Sequence, residues 1–206
     1  MSAGRLDRLA LLASVAALAA LQLWLRPLLP VDETRYIGVA WEMWQRGDFL
    51  VPWLNGEPYS HKPPLFFWLV HAGWWLFGVN EWWPRSVAAL VSLAALLAVS
   101  RLAGLLWPQD RVTRALVPWV LFGLVFWATF YTWLQIDMLM VLFTVLALTG
   151  VAYASRGHDS GWLLTGVAIG LGALSKGPVI LLHVLPVALL APLWLGSRDR
   201  FTWLRW

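Results

Sequence analysis

The chain has 206 residues, of which 60% are hydrophobic and 13% are charged, and its mean hydropathy is +0.68. A soluble domain of this size needs more polar surface, so the composition predicts an all-α protein that crosses a membrane several times. The formal net charge of +4 comes from Lys and Arg at the ends of apolar segments, which indicates topology rather than nucleic-acid binding. The absence of cysteine excludes disulfides, thiolate metal sites and cysteine nucleophiles.

The first apolar segment follows Arg5 and Arg8 and runs from Leu9 to Leu25. Residues 17–19 read Ala-Leu-Ala, which also fits a signal-peptidase site. Because the apolar run continues to a spanning length, we favour an uncleaved anchor over about residues 6–29, running from cytoplasm to exterior.

A polar and aromatic loop follows, and its first part predicts a helix on the membrane surface. Asp32 stands at the N-cap position, and the helix is expected to end near Gly47. The apolar stripe is formed by Ile37, Ala40, Trp41 and Trp44. Asp32 has a purely structural interpretation as a cap. With Glu33 beside it and Arg35 one turn on, we favour a functional carboxylate.

The second part of the loop contains the turn signal Asn55-Gly56 and the rigid pair Pro63-Pro64. Between them lie Tyr59, His61 and Lys62. A lysine before prolines is often a snorkelling membrane anchor, and a lone histidine is often structural. Neither position is specific by itself.

The remaining apolar segments predict five more spans. Residues 115–154 would form a helix of about 60 Å, twice the hydrocarbon core, so this stretch must fold back near Asp137. A second break falls at residues 175–178, which include Lys176. The predicted spans are 85–107, 115–134, 138–154, 161–175 and 178–196. An acid within the membrane is a functional candidate or a buried cap, and Lys176 is a candidate site cation or an anchor.

The segment from Pro64 to Pro84 decides the topology. If it crossed the membrane, every later arginine-bearing loop would lie outside, against the positive-inside rule. If residues 30–84 form an extracytoplasmic loop with interfacial or re-entrant helices, all those loops become cytoplasmic. We therefore predict the second arrangement, which places Asp32, Lys62, Asp137 and Lys176 on the outer face.

These residues suit chemistry on a lipid phosphate. Lysine and arginine neutralise phosphate oxygens, and a nearby acid can deprotonate an incoming hydroxyl or amine. The sequence has no Walker loop or dinucleotide fingerprint, so no nucleotide cofactor is expected and a lipid-carried donor is favoured.

The loop "VDETRYIGVAWEMWQRGDFLVPWLNGEPYSHKPPLFFWL" resembles that of C-type polyprenyl-phosphate glycosyltransferases. Within that superfamily it is most similar to aminoarabinose transferases acting on lipid A and to relatives of protein O-mannosyltransferases. The resemblance continues through "LQIDMLMVLF" and "GLGALSKGPVILLHVLPVAL" and covers nearly the whole chain, although the later motifs are less specific.

The resemblance implies glycosyl transfer from a polyprenyl-phosphate sugar to a lipid A-like glycolipid, a glycan or a protein. It places a multi-pass enzyme in the inner (plasma) membrane with its site on the extracytoplasmic face. Asp32 is implied as the base or acceptor-orienting group, and Lys62 as the donor-phosphate ligand. The other implied substrate-binding residues are Glu33, Arg35, Tyr59, Asp137 and Lys176.

Two departures from the family pattern stand out. His61 replaces the acidic residue that usually precedes the lysine and is implicated in binding a divalent metal, which weakens the aminoarabinose assignment relative to a hexosyl or mannosyl transferase. Histidine also binds zinc, so His61 is the one candidate metal ligand. The chain is also shorter than the family, so residues 1–206 are expected to be an N-terminal part. The open alternatives are a noncatalytic or truncated subunit and a transporter.

Overall fold

The computed structural model describes residues 3–195 and 206, with side chains from residue 9 onward. Helices make up 73% of the structure and there is almost no strand, which confirms the all-α class. The helices are α1 (Ala3–Leu25), α2 (Asp32–Arg46), α3 (Leu65–Phe77), α4 (Trp82–Leu106), α5 (Arg111–Phe122), α6 (Val125–Phe130), α7 (Asp137–Ala154), α8 (Ser160–Lys176), α9 (Val179–Leu189) and α10 (Ala191–Trp194). A two-stranded hairpin, β1 (Trp53–Leu54) and β2 (Glu57–Pro58), lies between α2 and α3.

The segment predicted as one helix over 115–134 is two helices, α5 and α6. Gly123 ends α5, and Leu124 has extended dihedral angles (φ −69°, ψ 131°) before α6 begins. Among the described residues of 178–196, α9 ends at Leu189 and α10 follows. The rest of that segment lies outside the described residues. Hydropathy carries no signal for such breaks, because the residues at both breaks are apolar.

Helix α2 begins at Asp32 and ends with Gly47 in a left-handed conformation (φ 66°), as expected of a glycine C-cap. Its buried face differs from the predicted stripe and consists of Glu33, Tyr36, Val39, Ala40 and Met43. Ile37 and Trp44 flank this face, whereas Trp41 is 41% exposed. Trp41 lies at the edge of the buried face, where its ring packs edge-on against that of Trp74 of α3 (6.5 Å between centroids).

The loop elements share one core. The buried face of α2 packs against Phe66, Phe67 and Val70 of α3, and Leu134 and Ile136 complete the cluster from the chain before α7. Asn55 (φ 56°) and Gly56 (φ 86°) turn the hairpin, as their sequence predicts. The core therefore joins the loop after α1 to the segment that leads into α7.

The two ends of the bundle differ in chemistry. At one end, Arg101 donates to the hydroxyl of Tyr153 (2.7 Å), and the Ser100 hydroxyl donates to the carbonyl of Arg114 (3.2 Å). Arg156 also donates to the Leu105 carbonyl there. We call this the arginine end, and the opposite end, where α2 and α7 begin, the site end.

Helices α7 and α8 form a tight antiparallel pair through glycine. A Cβ atom built on Gly150 would lie 2.6 Å from the carbonyl oxygen of Gly161 and 2.8 Å from the backbone nitrogen of Thr165. A Cβ atom on Gly161 would lie 2.5 Å from the carbonyl oxygen of Gly150. Because backbone atoms block both positions, the pair can accept a side chain only by separating.

Gly150→Ala is expected to lower the free energy of unfolding in detergent by about 1–3 kcal/mol, as overpacking does elsewhere. Gly166→Ala, on α8, is the matched control, because its Cβ would meet nothing within 4 Å. Alanine favours helix, so the control is expected to be neutral or stabilising by up to about 1 kcal/mol. Equal thermal unfolding curves for the two variants would contradict the close contact between the backbones of α7 and α8 at Gly150.

Two of the helices are long and apolar enough to cross a membrane within the described part of the chain, namely α4 and α7. Shorter apolar helices cover Leu9–Leu25, Leu65–Phe77 and Val179–Leu189.

Candidate active site

The first turn of α2 carries an ion pair. Asp32 is the first helical residue, and its carboxylate pairs with the guanidinium of Arg35. The interpretation of Asp32 as the N-cap is wrong, because the cap position belongs to Val31 and no side chain caps the helix. The Asp32 side chain is 46% exposed and that of Arg35 is 32% exposed, so both are open to a ligand.

Two tyrosines, Tyr36 and Tyr59, lie near the Asp32–Arg35 ion pair. The Arg35 guanidinium lies 5.4 Å from the ring centroid of Tyr36. Burial raises the pKa of Tyr36 and of Tyr59, and the charge of Asp32 raises both further. Both hydroxyls are therefore protonated at neutral pH and able to donate hydrogen bonds. Tyr59 is 7% exposed, and its hydroxyl has no hydrogen-bond partner among the described residues.

The hairpin positions Tyr59, because the Tyr59 backbone nitrogen donates to the Pro52 carbonyl (2.7 Å). His61 follows with its ring centroid 5.1 Å from that of Tyr59 and its side chain exposed. Lys62 is half-buried and forms no ion pair with any residue that the structure describes. A half-buried cation with no ion pair in the described part of the chain favours an anionic ligand.

A second charged pair lies where α7 begins and α8 ends. The Lys176 ammonium donates to the carboxylate of Asp137, and the side chains are 31% and 42% exposed. Because the helices are antiparallel, the first residue of one and the last of the other meet at the site end. Beside Asp137 is a cavity of about 440 Å³, lined by Phe126, Trp127, Phe130, Gln135, Asp137, Met138 and Val141.

Glu33 differs from its neighbour Asp32, because its side chain is 2% exposed. Arg26 donates to its two carboxylate oxygens (2.7 and 2.9 Å). The backbone nitrogens of Leu29 (2.7 Å) and Leu134 (3.1 Å) donate to it as well. Burial raises the pKa of Glu33, but these hydrogen bonds and the charge of Arg26 outweigh burial and lower it. Glu33 is therefore ionised at neutral pH, and its predicted contact with substrate stays a prediction.

Sequence reasoning missed two arginines, Arg26 and Arg85, that bind the chain around Glu33 and the end of α1. Arg26 also donates to the Thr132 carbonyl (3.3 Å). Arg85, 6% exposed, donates to the carbonyls of Gln22 (2.7 Å) and Leu23 (3.3 Å) at the end of α1. The sequence contained a signal, because Arg26 and Arg85 stand at span ends that the predicted topology places outside, where isolated cations are disfavoured.

His61 is the residue predicted to bind a metal. Among residues 3–195 and 206, no three His, Cys, Asp or Glu side chains come together to hold a metal ion. The donor set around His61 does not fit a divalent metal centre, which usually needs three or four protein ligands. Metal dependence stays a prediction.

Comparison with known proteins shows the family. The profile of the family described as dolichyl-phosphate-mannose-protein mannosyltransferase matches residues 61–205. The chain belongs to this family, which confirms the resemblance of its motifs.

Similar curated proteins carry the name undecaprenyl phosphate-alpha-4-amino-4-deoxy-L-arabinose arabinosyl transferase. The protein from Pseudomonas savastanoi pv. phaseolicola is 32% identical over 173 residues, covering 81% of this chain and 32% of the relative. The protein from Erwinia tasmaniensis is 33% identical over 183 residues, covering 86% of this chain and 32% of the relative. The chain thus spans about a third of the length of these relatives.

The fold is similar to crystal structures of ArnT from Cupriavidus metallidurans. The apo structure has a TM-score of 0.77 at 25% identity, covering 99% of this chain and 38% of ArnT. The structure bound to undecaprenyl phosphate has a TM-score of 0.75 at 28% identity, covering 96% of this chain and 37% of ArnT.

Proposed function

We propose that this chain is part of a membrane glycosyltransferase that moves a sugar from a polyprenyl-phosphate donor to an extracytoplasmic acceptor. The observation that carries the proposal is the likeness, over 96% of the chain, to ArnT bound to undecaprenyl phosphate. The acceptor class is a lipid A-like glycolipid, a glycan or a protein. The site residues supply the cations and the carboxylates that such a reaction uses.

The site end is proposed to face the exterior of the inner membrane. The arginine end gathers cations from three separate segments, and such cations favour the cytoplasmic side. Asp32, Asp137 and Lys176 lie at the opposite end of the helices. The charge distribution in three dimensions thus supports the same orientation as the charge distribution in the sequence.

Helix α3 is proposed to be interfacial or re-entrant rather than spanning. Its 13 residues extend about 20 Å, short of a hydrocarbon core of about 30 Å. Both flanking segments also lie at the site end, because Tyr59 before it packs in the core that α2 forms, and Arg85 after it binds the end of α1. Exposed aromatics in its last turn, Trp75 and Phe77, and Trp82 at the start of α4 suit a membrane interface.

In the proposed reaction, an acceptor hydroxyl or amine attacks the anomeric carbon, and the bond from that carbon to the phosphate oxygen breaks. Asp32 accepts the proton of the attacking group. Lys62, with Arg35 and the Tyr59 hydroxyl, stabilises the negative charge of the polyprenyl phosphate that leaves. Asp137 and Lys176 form one wall of the reaction site. The apolar cavity beside Asp137 suits part of a lipid chain.

The test is binding of undecaprenyl phosphate to the purified protein, compared with undecaprenol, which lacks the phosphate. Preferential binding of the phosphate is expected, followed by release of undecaprenyl phosphate when sugar-loaded donor and a lipid A acceptor are added. Equal binding of the two lipids would contradict a phosphate site. Phosphate-selective binding without turnover across aminoarabinose and hexose donors would favour the noncatalytic alternative.

A further inference from the structure

Glu33 joins α2 to three other points of the chain through hydrogen bonds to its carboxylate. One of its donors, Arg26, follows α1, and a second, Leu29, lies in the short connection to α2. A third, Leu134, comes from the segment between α6 and α7, 101 residues away. A single side chain therefore holds the first turn of α2 against the approach to α7.

The carboxylate of Glu33 is fully occupied by these contacts. One oxygen accepts from Arg26 (2.9 Å) and Leu134 (3.1 Å), and the other accepts from Arg26 (2.7 Å) and Leu29 (2.7 Å). With 2% of the side chain exposed, the carboxylate is closed off from solvent in this structure. Asp32, one residue earlier, is exposed and has a single partner, so the two adjacent carboxylates have different tasks.

The contacts of Glu33 link the two segments that carry the charged pairs. It is covalently adjacent to Asp32, and its partner Leu134 lies three residues before Asp137. The intervening segment is tightly turned, with the Gln135 nitrogen 2.6 Å from the Trp133 carbonyl and the Met138 nitrogen 3.2 Å from the Gln135 carbonyl. A displacement at Leu134 is therefore transmitted to Asp137.

We propose that Glu33 is a positioning residue that sets the separation between the Asp32–Arg35 pair and the Asp137–Lys176 pair. This rests on the proposed function, because those pairs flank the site of transfer. Arg26 is the necessary counter-charge, since an unpaired buried carboxylate would be strongly disfavoured. Reacting groups must be held closely, and a misplacement of about 1 Å can lower a rate by about 100-fold.

The test uses Glu33→Gln, which keeps the shape of the side chain but places an amide NH2 where donors now point. Spin labels at Thr34→Cys and Gln135→Cys, introduced into this cysteine-free sequence, report the separation of the two segments by dipolar broadening. We expect the broadening to decrease and kcat to fall by about 100-fold, with the KM for the lipid donor changed less than about twofold. Glu57→Gln is the matched control, because it makes the same carboxylate-to-amide change at an exposed residue of β2, away from the contacts of Glu33.

If Glu33→Gln does not fold, a second variant, Glu33→Asp, is used. It preserves the negative charge and so keeps Arg26 paired. Its side chain is one methylene shorter and cannot reach Arg26 and Leu134 together, so the same two changes are expected to a smaller extent. Unchanged broadening with a raised donor KM would overturn the proposal in favour of direct substrate contact. Absence of transfer by the unmutated protein would count against the proposed function alone, because the spin-label comparison needs no substrate.

Discussion

Asp32→Asn is expected to abolish glycosyl transfer while leaving membrane insertion and donor binding intact. An amide cannot accept the proton of the attacking group, and loss of a general base lowers kcat by about 10²–10⁴-fold. The helix itself should persist, because Asp32 makes no capping hydrogen bond in the structure. The measurement is single-turnover transfer from a sugar-loaded undecaprenyl phosphate, with donor binding measured in parallel.

Glu57→Gln is the matched control for this substitution. Glu57 lies in the same loop, on β2, and its side chain is exposed. The same change of carboxylate to amide is expected to leave kcat within about twofold of that of the unmutated protein, as surface substitutions usually do. Normal turnover by Asp32→Asn would remove Asp32 from the mechanism.

Lys62→Ala is expected to weaken donor binding by about 2–5 kcal/mol, the range for losing one partner of a desolvated charge pair. Lys62 is half-buried, so a phosphate bound to it would be partly shielded from water. The measurement is the equilibrium affinity for undecaprenyl phosphate, and undecaprenol affinity should be unaffected.

Arg111→Ala is the control for loss of a cation, because Arg111 is exposed at the start of α5 beside the arginine end. Its effect on donor affinity is expected to be negligible. If Lys62→Ala binds undecaprenyl phosphate as tightly as the unmutated protein, Lys62 is a membrane anchor rather than a phosphate ligand.

The pattern of charged residues and helix breaks predicted where helix ends lie better than it predicted the role of each side chain. The break at Lys176 and the fold-back near Asp137 identified two helix ends that meet in an ion pair. The Asn55-Gly56 signal likewise predicted the hairpin, because both residues adopt positive φ readily. These features follow from residue type and spacing alone.

The roles of individual side chains that depend on their direction could not be predicted from the sequence. Successive residues on a helix point about 100° apart, so Asp32 and Glu33 face different surroundings although they are adjacent. The partner of Glu33 at Leu134 is a backbone group, which has no sequence signature. Periodicity predicted an apolar stripe that contains both Ala40 and Trp41, but Ala40 is buried whereas Trp41 is 41% exposed.

The most direct test of the central claim is the sidedness of the site. Single cysteines at positions 62, 137 and 176 of this cysteine-free sequence are treated in intact cells with a membrane-impermeant thiol reagent, and cysteines at 111 and 156 serve as cytoplasmic controls. An extracytoplasmic site predicts labelling at the first three positions and protection at the controls until a permeant reagent is used. Labelling at 62 with protection at 137 and 176, both still reached by the permeant reagent, would place residues 64–84 across the membrane and contradict the site.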